Sequence, residues 1–213
     1  MAAMEASPVP QPKEGEEEKH DQLPEKMTKA APPEISLRPF QLSDVDDFMA
    51  WATDDRVSQF CSWDTYTSRD DVLRHMTEDV LPHPFFRAIC VDGRPVGSIS
   101  VTLNPGKNDQ CRGELGYVLA SDYWGRGIVL RGVKMAVASV FQEVPGLGRV
   151  EAVVDVENVA SQRVMEKAGF LREGVLRKYF LMKGRVRDAV IYSFLSPDPV
   201  PSYLMLAFLS DVR

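Results

Sequence analysis

Two stretches of this 213-residue chain carry residue types at spacings suited to chemistry. The first is Tyr123-Trp124-Gly125-Arg126-Gly127-Ile128-Val129. It follows the strand-like run Glu114 to Leu119 and precedes Leu130, Val133, Met135, Val137, Val140 and Phe141, an amphipathic helical pattern. A helix start leaves backbone N–H groups without intrahelical partners at its positive end, which attracts a phosphate or pyrophosphate. Gly125 and Gly127 let the main chain approach such an anion without a Cβ in the way, and Arg126 can offset its charge. The same residues also suit an ordinary tight turn. The second stretch follows the strand-like Arg149 to Val156 and runs from Glu157 to Phe170: Asn158, a short helix with Ala160, Val164 and Ala168 at helical spacing, a Gly169 stop and a new strand. Asn158 and Ser161 can cap that helix or present polar groups to a ligand. Glu114, at the edge of the first strand-like run, can act as a general base, pair with Arg112 or stand solvated.

The two motifs together resemble the GNAT superfamily of acetyl-CoA-dependent N-acetyltransferases. Within it they are most similar to the RimJ/RimL-like branch, which acetylates ribosomal-protein N-termini and has plant and bacterial members. The resemblance rests on Tyr-Trp-Gly-Arg-Gly-Ile at 123 to 128, on Asn-Val-Ala-Ser-Gln-Arg-Val-Met-Glu-Lys-Ala-Gly-Phe at 158 to 170, and on the flanking Glu-Leu-Gly-Tyr and Glu-Gly-Val-Leu-Arg. It spans roughly Ile35 to Leu195, a normal size for one domain. It implies transfer of an acetyl group from acetyl-CoA to a primary amine (a protein N-terminus, a lysine or a small amine) by direct attack in a ternary complex. The alternative is a non-catalytic acyl-CoA-binding or protein-interaction module that keeps the fold.

The resemblance also assigns roles. The backbone of Tyr117, Val118 and Leu119 corresponds to the strand that pairs with pantetheine. Trp124, Gly125, Arg126, Gly127, Ile128, Val129 and Leu130 correspond to the pyrophosphate loop. The strict loop pattern falls on Trp124, Gly127 and Val129, and only Gly127 meets it; a tryptophan at 124 is common in this branch, and Val129 is bulkier than the pattern's small residue. Asn158 matches an asparagine that bonds near the pantetheine, and Ser161 a hydroxyl that assists the leaving thiolate. Another branch places a tyrosine acid in this helix, where this chain has Met165. Glu114 is the candidate base. Tyr117, on the opposite face of the strand, is expected to pack.

These residues must be positioned by helices and strands in alternation. Helical patterns begin at Ser43 (Val45, Phe48, Met49, Ala52) and at Ser68 (Val72, Met76, Val80), with acidic residues suited to helix N-termini. Arg87 to Val91 and Val96 to Leu103 flank Asp92-Gly93-Arg94-Pro95, a hairpin signature, and Leu176 to Met182 and Val186 to Phe194 flank Lys183-Gly184-Arg185. Strand–helix units in the middle and hairpins toward the ends predict a mixed α/β sheet layered with helices. The resemblance sharpens this to six or seven largely antiparallel strands, splayed at the centre.

Composition narrows the function classes. At 44% hydrophobic residues the chain can bury one substantial core, and no apolar run reaches membrane-spanning length. A net charge of −6 argues against a nucleic-acid partner, which calls for a basic face. Cys61, Cys90 and Cys111 are odd in number and far apart, and the histidines at 20, 75 and 83 are scattered, so neither a disulfide framework nor a metal site is expected. Cys90 reads as a buried small hydrophobe. Residues 1–33 are polar and rich in Pro, Glu and Lys, an expected disordered tail whose acids disfavour secretory and organellar signals, leaving cytosol or nucleus. A domain at 34–196 and a C-terminal extension at 197–213 bearing Tyr203, Leu204, Leu206, Phe208 and Leu209 complete the expected organisation. The amine acceptor is the expected partner, and a homodimer is allowed.

Overall fold

The computed structural model describes residues 32–103, 106 and 109–197. The expectation of a disordered N-terminal tail therefore falls, but for its last two residues, outside the described residues, and so does the apolar segment beginning at Ser202. The strands are β1 (Ile35–Pro39), β2 (Phe86–Val91), β3 (Arg94–Leu103), β4 (Arg112–Leu119), β5 (Arg149–Asp155), β6 (Leu171–Met182) and β7 (Arg185–Leu195). The helices are α1 (Val45–Ala52), α2 (Asp55–Ser58), α3 (Arg69–His75), α4 (Ile128–Glu143) and α5 (Val159–Ala168). One sheet holds these seven strands in the order β1-β2-β3-β4-β5-β7-β6, and among the described residues only β4 and β5 run parallel. This is the mixed α/β architecture expected of the sequence. β1 and α2 escaped the sequence reading because five and four residues are too few to show a period.

Both expected hairpins form. Their turns place Asp92-Gly93 at φ 50° and 82° and Lys183-Gly184 at φ 47° and 74°, the paired positive angles that suit the twist of two flanking strands. The second hairpin returns inward, so that β7 lies beside β5 and β6 forms the edge.

The sheet is covered on two faces, and strand alternation decides what each face receives. On one side α4 contributes Ile128, Val133, Ala136, Val137 and Val140 at helical spacing, packed with Met165 and Ala168 of α5 against Ile99, Val101, Leu115, Leu119, Val150, Ala152, Val190 and Tyr192. On the other, Phe48, Trp51 and Ala52 of α1 and Val72 of α3 cover Ala88 and Cys90. Cys90 is fully buried there, in the role expected for it. Within β4, Leu115, Tyr117 and Leu119 therefore join the α4/α5 core while Val118 joins the α1/α3 core, on the same face as Glu114.

Candidate active site

The site begins with an interruption in the sheet. β4 and β5 pair over only three positions, Arg112 to Glu114 with Arg149 to Glu151, although β4 continues to Leu119 and β5 to Asp155. Beyond Glu114 the two strands part. The amide of Ala120 donates to the Val96 carbonyl, which fixes the alternation of the β3–β4 ladder. Even-numbered β4 residues then bond β3, and the N–H and C=O of Tyr117 and Leu119 face the gap. Val118, opposite Ser98 in register, turns its backbone to β3 and its side chain to the α1/α3 core.

The end of β4 leads straight into the glycine loop. A short 3-10 turn, Ser121–Tyr123, is followed by Gly125 at φ 74° and Gly127 at φ 72°, both in the left-handed region that favours glycine. A Cβ built on either would meet no atom within 4 Å, so the space beside both is open. Gly127 is also the N-cap of α4, with no side-chain cap and no acid in the first turn. Ile128, Val129 and Leu130 thus begin a 16-residue helix whose leading N–H groups have neither a capping oxygen nor a carboxylate to answer them, an arrangement fitted to an anion. Ile128 is buried and Val129 and Leu130 pack on the core, so the bulk of Val129 points away from the open side. Arg126 is exposed, its guanidinium 5.3 Å from the centre of the Tyr123 ring. Trp124 is 46% exposed, yet its indole N–H donates to the Leu119 carbonyl at 2.8 Å, which ties the loop back to β4. That bond uses the Leu119 carbonyl, leaving the Leu119 amide and both polar groups of Tyr117.

Across the gap, α5 carries the second motif. The Asn158 side-chain oxygen accepts from the Ser161 backbone N–H at 3.0 Å and caps the helix, while Gly169 at φ 95° closes its other end. Asn158 is therefore the cap and Ser161 is not. Ser161 instead accepts a hydrogen bond, 3.0 Å long, from the phenol of Tyr117. Burial holds the proton on that phenol, pushing its pKa up to about 12 against the smaller opposing effect of the Ser161 bond. Met165 is fully buried in the core, so this helix offers no tyrosine acid.

Glu114 occupies the other face of β4, at the point where β4 and β5 separate. Its carboxylate is solvent-accessible and makes no hydrogen bond or ion pair among the described residues; Arg112 instead binds Asp109 and Glu151. Glu151, buried beside it in register, is held by Arg112 at 2.5 Å and Arg149 at 3.0 Å, and Arg149 continues to Glu173. Crowding by protein raises the Glu114 pKa from its ordinary value, the negative Glu151 raises it further, and Arg112 opposes both. Because water reaches this carboxylate, that environment acts through a partly screened field.

The structure thus brings Asn158, Ser161 and the Tyr117 hydroxyl together on one face of the sheet, sets Glu114 on the other face, and places the open glycine loop at the end of β4. Sequence reasoning missed the Tyr117 hydroxyl, treating that side chain as packing. The available signal was a tyrosine rather than a phenylalanine at an inward strand position, since a buried phenol needs a partner. It also missed the Trp124–Leu119 tie and the influence of Glu151. Among the described residues no group of three or more His, Cys, Asp or Glu is placed to hold a metal ion, and no helix is long and apolar enough to cross a membrane.

A family profile described as "Acetyltransferase (GNAT) domain" matches residues 34–171. The chain is 26% identical over 170 residues to the uncharacterized N-acetyltransferase p20 of Bacillus licheniformis, covering 77% of this chain and 94% of that protein. Among solved structures it is similar to RimL, the ribosomal L7/L12 alpha-N-protein acetyltransferase in complex with coenzyme A, with a TM-score of 0.66, 21% identity, and 76% and 93% of the two chains covered. It is likewise similar to the spermidine N-acetyltransferase of Vibrio cholerae in complex with CoA and spermine, with a TM-score of 0.64, 19% identity, and 76% and 95% covered.

Proposed function

The chain belongs to the acetyltransferase (GNAT) family and is an acetyl-CoA-dependent N-acetyltransferase, and from that premise we propose that it transfers acetyl to a primary amine by direct attack in a ternary complex. The observation that carries this reading is the gap between β4 and β5, with a hydroxyl at one side, a free carboxylate on the other face and an uncapped helix at its end. Gly125, Gly127 and the first turn of α4 receive the pyrophosphate, with Arg126 nearby. The Tyr117 backbone and the Leu119 amide bond the pantetheine arm as a strand would. The sulfur then lies deeper in the gap, near Ser161.

Acetyl transfer needs a neutral amine, a donor for the oxygen of the tetrahedral intermediate, and help for the departing thiolate. Glu114 takes the amine proton, directly or through one water, as the nitrogen attacks the thioester carbon. A backbone N–H of the parted β4 edge serves the developing oxyanion. When the C–S bond breaks, the electron pair goes to sulfur and the Ser161 hydroxyl donates a hydrogen bond to it. The raised pKa of Glu114, from burial first and the Glu151 charge second, suits this work, since a stronger base takes a proton more readily.

The acceptor is a primary amine of a protein N-terminus, a lysine side chain or a small polyamine. Two structural neighbours support that range, RimL being an alpha-N-protein acetyltransferase and the Vibrio cholerae protein a spermidine N-acetyltransferase. Free thiol released from acetyl-CoA, measured across a panel of peptides and amines, tests the reading. Amine-dependent release is expected for one class; release no faster than acetyl-CoA hydrolysis across the whole panel would favour a binding module instead.

A further inference from the structure

Tyr117 sits on β4 and Ser161 on α5, so their hydrogen bond links the strand on one side of the gap to the helix that follows the strand on the other. Phenylalanine would fill the same place in the core; the hydroxyl adds only the bond to Ser161. That phenol keeps its proton throughout the neutral range, so it is a permanent donor. A serine hydroxyl has one proton and two lone pairs. One lone pair here accepts from Tyr117, so the serine cannot donate back along the same contact. The Asn158 oxygen is already engaged by the Ser161 amide, and among the described residues nothing else accepts the serine's own proton.

We propose that Tyr117 is a positioning residue which sets the polarity of the Ser161 hydroxyl, holding its oxygen as acceptor so that its proton is presented to the sulfur of the departing coenzyme A. The inference rests on the role of Ser161 given above. No proton leaves either hydroxyl: sulfur takes the C–S electron pair and departs as a thiolate hydrogen-bonded by Ser161, which it later exchanges for a solvent proton. The amine proton leaves separately through Glu114. Without the phenol, Ser161 can turn its proton to a backbone carbonyl one turn back, that of Glu157 or Asn158 at the helix start, and the leaving group loses its donor.

The test is a cycle of Tyr117→Phe, Ser161→Ala and the double variant, each measured for kcat, acetyl-CoA affinity and melting temperature. Tyr117→Phe is expected to lower kcat about tenfold, the scale of one hydrogen bond made in the transition state, with acetyl-CoA affinity within about twofold of wild type. In the Ser161→Ala background the same change should have no further effect on kcat, because the group it acts through is gone. Wild-type kcat in Tyr117→Phe, or an equal loss in both backgrounds, would overturn the inference, since a packing role is independent of the serine. Wild-type turnover in Ser161→Ala is a different result and removes the underlying role of Ser161. Phenylalanine keeps the shape of the core, and the melting temperature reports directly that each variant is folded.

Discussion

Ser161 and Glu114 answer different needs of the reaction, so their variants should fail differently. Ser161→Ala removes a hydrogen bond offered to the developing thiolate, and turnover should fall about tenfold or more while acetyl-CoA affinity, read by calorimetry, stays unchanged. Because Asn158 supplies the cap oxygen, the same substitution leaves the helix cap intact and should lower the melting temperature only through the lost Tyr117 hydrogen bond, whereas Asn158→Ala should cost about 1 kcal/mol of stability through the cap itself. A marked stability loss in Ser161→Ala with normal turnover would reassign the serine to structure. Glu114→Gln keeps the side chain's shape and deletes the base. The folded protein raises the Glu114 pKa, so the carboxyl is protonated, and idle as a base, up to a higher pH than a free carboxyl would be. The acid limb of the wild-type pH–rate profile should accordingly lie at higher pH than an unperturbed carboxyl would place it. The defect of the glutamine variant should shrink as pH rises and the amine loses its proton to solvent. A defect constant across pH would remove Glu114 from proton transfer.

At the scale of elements, the junction of β4 with α4 is where the chain's local chemistry is most directly expressed. The glycines adopt positive φ, the helix start lacks a capping side chain, and Trp124 pins the loop to the strand it leaves. Gly127→Val should place a side chain in the open space beside the loop and force a β-branched residue into the left-handed region. Acetyl-CoA binding should weaken at least tenfold, about 1.4 kcal/mol. Calorimetry on a variant with a cooperative melting transition checks this, and unchanged affinity would move the pyrophosphate elsewhere. The hairpins were legible for the same local reason: Asp92-Gly93 and Lys183-Gly184 are neighbours in the chain, and the turn they need is a property of those residues. By contrast β1 has no turn or period of its own and becomes a strand through its pairing with β2.

At the scale of the whole molecule, the described residues form one sheet with a helical layer on each face, and the proposed chemistry sits where the only parallel pair among them comes apart. The segment before the domain is polar and proline-rich, and such a sequence buries little. Deleting residues 1–33 should leave the melting temperature and the specific activity essentially those of the full chain. A drop of several degrees would show that this segment packs on the domain.

The sequence by itself determined what neighbouring residues encode: the glycine loop between strand and helix, the Asn158–Ser161 helix start, the two hairpins and the alternation that separates Glu114 from Tyr117. Only the tertiary structure decided that β4 and β5 part after Glu114, that Val118 turns its backbone to β3, that burial and then the Glu151 charge raise the Glu114 pKa, and that a phenol 44 residues away bonds Ser161. The physical reason is reach. Turns, caps and periods depend on a few consecutive residues, whereas contacts across the sheet depend on register, in which a slip of one residue would turn each of these side chains to the other face.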